Sequence, residues 1–144
     1  MRIKITLQSN EPIALDYQYP LQLRALIYHL LPPDYAEHLH DIGFPYEKRQ
    51  FKLFTFSRIF GKRIRSGQAT PKPLIFAPEI HFYLASPITK LLEYVANESI
   101  RRVDLRLASN TLHLKAIEVE NEPIFANRVK TKMLSPMAIR STLL

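Results

Sequence analysis

Tyr28, His40 and Lys52 are side chains suited to breaking an RNA phosphodiester without a metal ion. That reaction needs help for the attacking 2′-hydroxyl, a proton for the departing 5′ oxygen, and positive charge beside the phosphorane-like transition state. An imidazole, with an unperturbed pKa of ~6.5, can transfer protons near neutral pH. A lysine ammonium can offset the developing negative charge, and more strongly where water is excluded. A tyrosine, with a pKa of ~10, is a poor base, so its role would be to orient the 2′-hydroxyl. Between residues 42 and 78 the only acidic side chain is Glu47, which leaves a paired-carboxylate, two-metal route poorly supported. His38 and His40 are two apart and would point to different faces of a helix, so no metal site is expected.

The stretch His38 to Ser57, HLHDIGFPYEKRQFKLFTFS, positions two of the three. It joins the end of a short helix to an aromatic strand, FKLFTFS, through a turn carrying Gly43, Pro45 and Lys48-Arg49. His40 falls near one end of this unit and Lys52 at the start of its strand. Arg24 and Tyr28, four apart, lie on the flank of the preceding helix, where a phenol could either pack or reach a cleft. His29, His81 and His113 sit in or beside core patterns, and structural roles are expected for them.

Charge is concentrated beside this unit. Residues 1–46 hold three basic and five acidic side chains, residues 47–72 eight and one, and residues 73–144 nine and seven, so the middle stretch alone carries +7, the formal net charge of the whole chain. Interleaving with Phe51, Phe54, Phe56 and Phe60 favours a polyanion over a merely solvated loop, since each cation near a phosphate releases condensed counterions. Lys48, Arg49, Arg58, Lys62, Arg63 and Arg65 are the candidate RNA contacts. FKLFTFS lacks the glycines of an RNP1 signature.

The 144 residues, 47% of them hydrophobic, suffice for one globular domain and a short extension. There is no cysteine, which excludes disulfides and thiolate chemistry. No run approaches the ~20 apolar residues of a membrane helix, and MRIKITLQSN alternates in polarity where a signal peptide would be continuously apolar. A soluble, cytoplasmic protein is expected, with no membrane association and no cofactor.

Residues 2–7 alternate as a strand with one buried face. Pro20 opens a helix over LQLRALIYHLL with a stripe of Leu23, Leu26, Ile27 and Leu30, and Pro33-Asp34 opens a second helix that Gly43 ends. FKLFTFS reads as an interior strand and residues 58–72 as a long connection. LIFAP and EIHFYLAS read as two strands about a turn at Ala77-Pro78. Ser86-Pro87 starts a helix with the serine as N-cap, and RRVDLRL and TLHLKAIEV close the domain as a hairpin with a bulge near Lys115. This order predicts an α+β fold, a ferredoxin-like plait with an antiparallel sheet and helices on one face. Residues 1–122 would form that domain, and 123–144 a linker and a further strand.

MRIKITL, LQLRALIYHLL, HLHDIG, FKLFTFS, SPITKLLEYVA and KMLSP, in this order, resemble the CRISPR-associated endoribonucleases that cut repeat transcripts into guide RNAs. The resemblance implies two tandem ferredoxin-like domains and metal-independent cleavage leaving a 2′,3′-cyclic phosphate. It places Tyr28, His40 and Lys52 where that family has its tyrosine, general acid or base, and lysine. It implies CRISPR repeat RNA as partner, and makes other CRISPR effector subunits and a homodimer further partners to consider. That family's second domain ends in a glycine-rich loop, whereas this chain has only Gly43, Gly61 and Gly67 and stops just after Leu134–Pro136. The expectation is therefore the front part of such a protein, its tail resembling the start of the second domain. Two other readings stay open: a basic plait that binds repeat RNA without cutting it, and a structural subunit that docks its tail strand on a partner.

Overall fold

The computed structural model describes residues 1–64, 73–120 and 127–128. The elements run β1 (Arg2–Gln8), β2 (Ile13–Leu15), α1 (Tyr19–His29), α2 (Pro33–Asp41), β3 (Phe44–Tyr46), β4 (Arg49–Phe51), β5 (Thr55–Phe56), β6 (Phe60–Ile64), β7 (Leu74–Ala85), α3 (Thr89–Arg101), β8 (Leu105–Leu107) and β9 (Asn110–Glu120).

Alternation in β1 sends Ile3, Ile5 and Leu7 to one side, and the antiparallel registers with β7 and β9 make that side continuous. Ile80, Phe82 and Leu84 of β7 extend it, and Leu105, Leu107 and Leu112 complete the core at the β8–β9 edge. Onto this face α1 brings Leu23, Leu26 and Ile27, and α3 brings Leu91, Leu92 and Val95, all buried. The order β9-β1-β7, with β5 and β6 together on the far edge of β7, is the antiparallel ferredoxin-like arrangement with its second strand split in two. The expected bulge is present: the β1–β9 register shifts between Thr6 and Leu7, passing from Ala116 to Leu114 and leaving Lys115 as the extra residue.

Several elements differ from expectation. FKLFTFS is not one strand: Phe51 closes a β3–β4 hairpin, Leu53 takes φ of 51°, and only Thr55–Phe56 joins the sheet. The Ser86 hydroxyl fixes this break by donating to the Leu53 carbonyl at 2.7 Å. Its oxygen also accepts the Ile88 N–H at 2.9 Å, so Ser86 is not the N-cap expected of it but supports the start of α3 from two positions before the cap, which is Ile88. Residues 60–64 form a strand where a connection was expected, because β7 presents a second edge whose N–H and C=O groups need partners. LIFAPEIHFYLA is one strand through Pro78. Ala77 and Pro78 fall between the segments of β7 paired with β2 and β1, and also at the register shift of β6, so the missing proline N–H breaks no ladder. Arg65, and residues 123–144 apart from 127 and 128, lie outside the described residues. No helix among the described residues is long and apolar enough to cross a membrane.

Candidate active site

Two glycine and proline signals place His40. Pro33 lies in the first turn of α2, and the helix ends where Gly43, at φ 63°, donates its N–H to the His38 carbonyl at 2.8 Å. The left-handed turn sends the chain directly into β3, and the hairpin returns through Glu47-Lys48 to Phe51. Lys52 follows at once. Its ammonium donates to the His40 carbonyl, one of the free acceptors at the end of α2, where the helix dipole favours a cation. This bond from side chain to backbone carbonyl thus ties Lys52 to the residue that carries the imidazole.

Tyr28 arrives from the last turn of α1. Its ring meets the His40 ring edge-on at 6.0 Å and the Phe54 ring at 5.8 Å. The three predicted residues therefore line one open cleft of about 550 Å³, between α1 on one side and the 52–56 segment on the other. Arg24, Phe54 and Phe56 share its wall. Burial pushes the Tyr28 phenol above its ordinary pKa, with the Arg24 guanidinium pulling partly the other way. At neutral pH it is a hydrogen-bond donor and acceptor, not a base.

His40 projects into solvent, its side chain 76% exposed, and its Nδ1 lies 2.8 Å from a carboxylate oxygen of Asp41. A carboxylate only accepts, so Nδ1 carries a hydrogen, and in the neutral ring this tautomer leaves the Nε2 lone pair facing outward. Asp41 was not singled out in the sequence, although its place next to His40 at a helix end was the available signal. Among the described residues no group of three or more His, Asp or Glu side chains comes together in a way that could hold a metal ion.

The basic residues divide into two sets. Lys48 and Arg49 are exposed on the hairpin that delivers Lys52. Arg58, Lys62 and Arg63 are exposed along the β5–β6 edge of the sheet, with Arg58 turned over the Phe60 ring. None of these five lines the cleft itself, whose own cations are Arg24 and Lys52.

Residues 12–118 match the family described as CRISPR-associated protein Cas6, N-terminal. The fold is similar to a solved structure described as CRISPR associated protein Cas6, with 24% identity and a TM-score of 0.61 over 85% of this chain and 49% of the other. It is similar also to one described as an RAMP protein binding different RNA substrates, with 18% identity and a TM-score of 0.63 over 86% and 50%. A Cas6-related protein from Pyrococcus furiosus aligns with 21% identity and a TM-score of 0.58 over 86% and 49%. At these identities the likeness is one of fold, and the chain spans about half the length of the solved structures it matches. Comparison with curated proteins gives no match.

Proposed function

The chain belongs to the Cas6 family, and from that premise we propose that it is the catalytic portion of a metal-independent endoribonuclease that cleaves CRISPR repeat transcripts to guide RNAs. The observation that carries this reading is the meeting of Tyr28, His40 and Lys52 in one open cleft. Residues 1–122 are read as the catalytic ferredoxin-like domain, and residues 123–144 as a linker and the first strand of a second.

The chemistry follows from the groups available. Nε2 of His40 takes the proton of the 2′-hydroxyl, the 2′ oxygen forms a bond to the adjacent phosphorus, and the bond to the 5′ oxygen breaks. The departing 5′ oxygen takes up a proton from water, the imidazolium returns its own proton to solvent, and a 2′,3′-cyclic phosphate remains. Lys52, fixed at the helix end, meets the charge that grows on the phosphoryl oxygens, an arrangement that gains from being in place beforehand. The protonated Tyr28 phenol orients the 2′-hydroxyl. Asp41 holds the imidazole in the tautomer that leaves Nε2 basic.

The test is incubation of repeat RNA in EDTA with wild type, His40→Ala and Lys52→Ala. The reading expects a cyclic-phosphate product from wild type and a loss of at least about 100-fold in each variant. Equal cleavage by wild type and His40→Ala would remove His40 from the mechanism. Salt-sensitive binding of the repeat with no product would favour a second reading, an RNA-binding module that does not cut. The excess of cations along the hairpin and the β5–β6 edge, outside the cleft, is the observation behind that alternative.

A further inference from the structure

Along the 52–56 wall of the cleft, Lys52, Phe54 and Phe56 line the cavity and Leu53 does not. Lys52 is fastened on one side by its bond to the His40 carbonyl, and Phe54 on the other by its edge-on contact with Tyr28. Leu53, between them, has φ of 51°, a left-handed backbone that a leucine keeps only where its surroundings hold it. Two serines hold the segment from behind. At its far end the Ser57 N–H donates to the Tyr83 carbonyl at 2.9 Å, and the Ser57 hydroxyl accepts the Tyr83 N–H at 2.9 Å. At the near end the Ser86 hydroxyl donates to the Leu53 carbonyl at 2.7 Å, one step beyond the last pair of the β5–β7 ladder, Thr55 with Ala85.

Ser86 is a rigid anchor for that bond. It directly follows β7 and is only 4% exposed. Its N–H donates to the Met1 carbonyl at 3.2 Å and its carbonyl accepts from the Met1 amino group at 3.1 Å, which ties it to the start of β1. Its hydroxyl oxygen accepts the Ile88 N–H, so the single hydroxyl hydrogen is left for Leu53. A buried hydroxyl that both donates and accepts is held in one orientation. One oxygen thus joins the end of β7, the start of α3 and the wall of the cleft, although Ser86 does not itself line the cavity.

We infer that Ser86 is a positioning residue of the cleft, which sets the place of the Lys52 ammonium by fixing the carbonyl of the residue that follows it. The inference rests on the reading of the cleft as the site of cleavage and adds what holds its cation in place. Without the hydroxyl, the Leu53 carbonyl is left without its buried donor and turns toward water. Leu53 then leaves the left-handed region, and the peptide units on either side rotate with it. Lys52 is the adjoining residue, so its ammonium is carried off the end of α2. A cation stabilises growing charge best when it stands in place beforehand, so the displacement lowers the rate of the chemical step and leaves affinity for RNA nearly as it was.

The test uses the full chain in EDTA and compares wild type with Ser86→Ala, Lys52→Ala and the double variant. Ser99→Ala is the control, since it removes another buried hydroxyl, bonded to the Val95 carbonyl at 2.7 Å within α3 and outside the cleft lining. Single-turnover cleavage of repeat RNA at saturating protein, well below every urea midpoint, should slow about 10- to 100-fold in Ser86→Ala with RNA affinity within about twofold of wild type. Ser99→Ala should cut like wild type, and the double variant no more slowly than Lys52→Ala. Losses that multiply in the double variant overturn the inference, because Ser86 would then act through something other than Lys52. A second measurement needs no cleavage. Acetic anhydride labelling read by mass spectrometry should modify Lys52 at least about threefold faster in Ser86→Ala, with Lys48 and Lys62 unchanged. If Ser86→Ala is too unstable to assay, Ser86→Cys, a weaker donor of similar size, carries both measurements. Wild-type labelling of Lys52 in the variant overturns the inference. Faster labelling of Lys52 in a chain whose wild type never cuts repeat RNA sinks the nuclease reading alone, and cleavage that Ser86→Ala leaves unchanged sinks the positioning role alone.

Discussion

Replacing Gly43 by alanine should disable the cleft by a route separable from general destabilisation. Gly43 has φ of 63°, and a Cβ on it would stand 2.7 Å from the Phe51 carbonyl oxygen and 3.3 Å from Cδ of Lys52. The left-handed backbone costs an L-residue about 1–2 kcal/mol. Relieving the contact with a backbone oxygen, by pushing β4 away from the end of α2, adds about 1–3 kcal/mol. The sum, about 2–5 kcal/mol, corresponds to a fall of roughly 6–20 °C in Tm for a chain of this size. Lys52 follows β4, so the same displacement takes its ammonium off the His40 carbonyl. Gly61→Ala is the matched control. A Cβ there meets the Glu79 carbonyl oxygen at 2.9 Å, but without the left-handed φ and outside the lining of the cleft. Urea unfolding and single-turnover cleavage of repeat RNA at saturating protein, both well below either midpoint, separate the effects. Gly43→Ala should slow cleavage about 100-fold, and Gly61→Ala should lose stability while cutting at nearly the wild-type rate. Equal rate losses in the two variants would show that the placement of Lys52 is not what Gly43 protects. Unchanged stability in Gly43→Ala would refute the geometric reasoning itself.

Two further outcomes depend on protonation. Because burial holds the Tyr28 phenol above its ordinary pKa, Tyr28→Phe should lower the cleavage rate evenly between about pH 6 and 9 without moving the profile, and a displaced profile would mean that the phenolate acts as a base. For His81 burial and the neighbouring Lys4 depress the folded pKa, so below ~6.5 the unfolded chain takes up this proton first and stability falls as pH drops toward the folded value. His81→Phe should flatten that acid limb in urea unfolding, and coincident curves for variant and wild type would contradict it.

Local signals made the parts of the cleft carried by helices readable. Pro20, the stripe through Leu23, Leu26, Ile27 and Leu30, and Gly43 each act within a few residues, so α1 and α2 fall where spacing puts them. Tyr28 and His40 go with them. The 52–64 segment was not readable in the same way. Nothing in leucine chemistry announces φ of 51° at Leu53, and its carbonyl is held by Ser86, 33 residues later in the chain. Phe60–Ile64, with a glycine and two cations, has the composition of a loop and becomes a strand only because the far edge of β7 must be paired. Pro78 read as a turn because whether a proline interrupts a strand depends on what its missing N–H would have met, and here that is a gap in both neighbouring ladders.

The same distinction explains why the cleft was anticipated and the ring cluster of Phe60, His81 and Tyr83 was not. His81 and Tyr83 stand two apart in EIHFYLAS with Ile80, Phe82 and Leu84 in the alternate positions, so their shared face was visible as a period of two. The structural role expected for His81 followed from its place in a strand pattern, although its parity set it opposite the core residues. Phe60 could be added only through the β6–β7 register, a contact between residues 21 apart that no local pattern encodes. A site carried by helix ends and one hairpin is therefore close to the sequence, while a cluster assembled across strands depends on which edges pair. Arg58 belongs to both descriptions: it was read as part of a basic run and is found over the Phe60 ring, on a surface instead of in a segment.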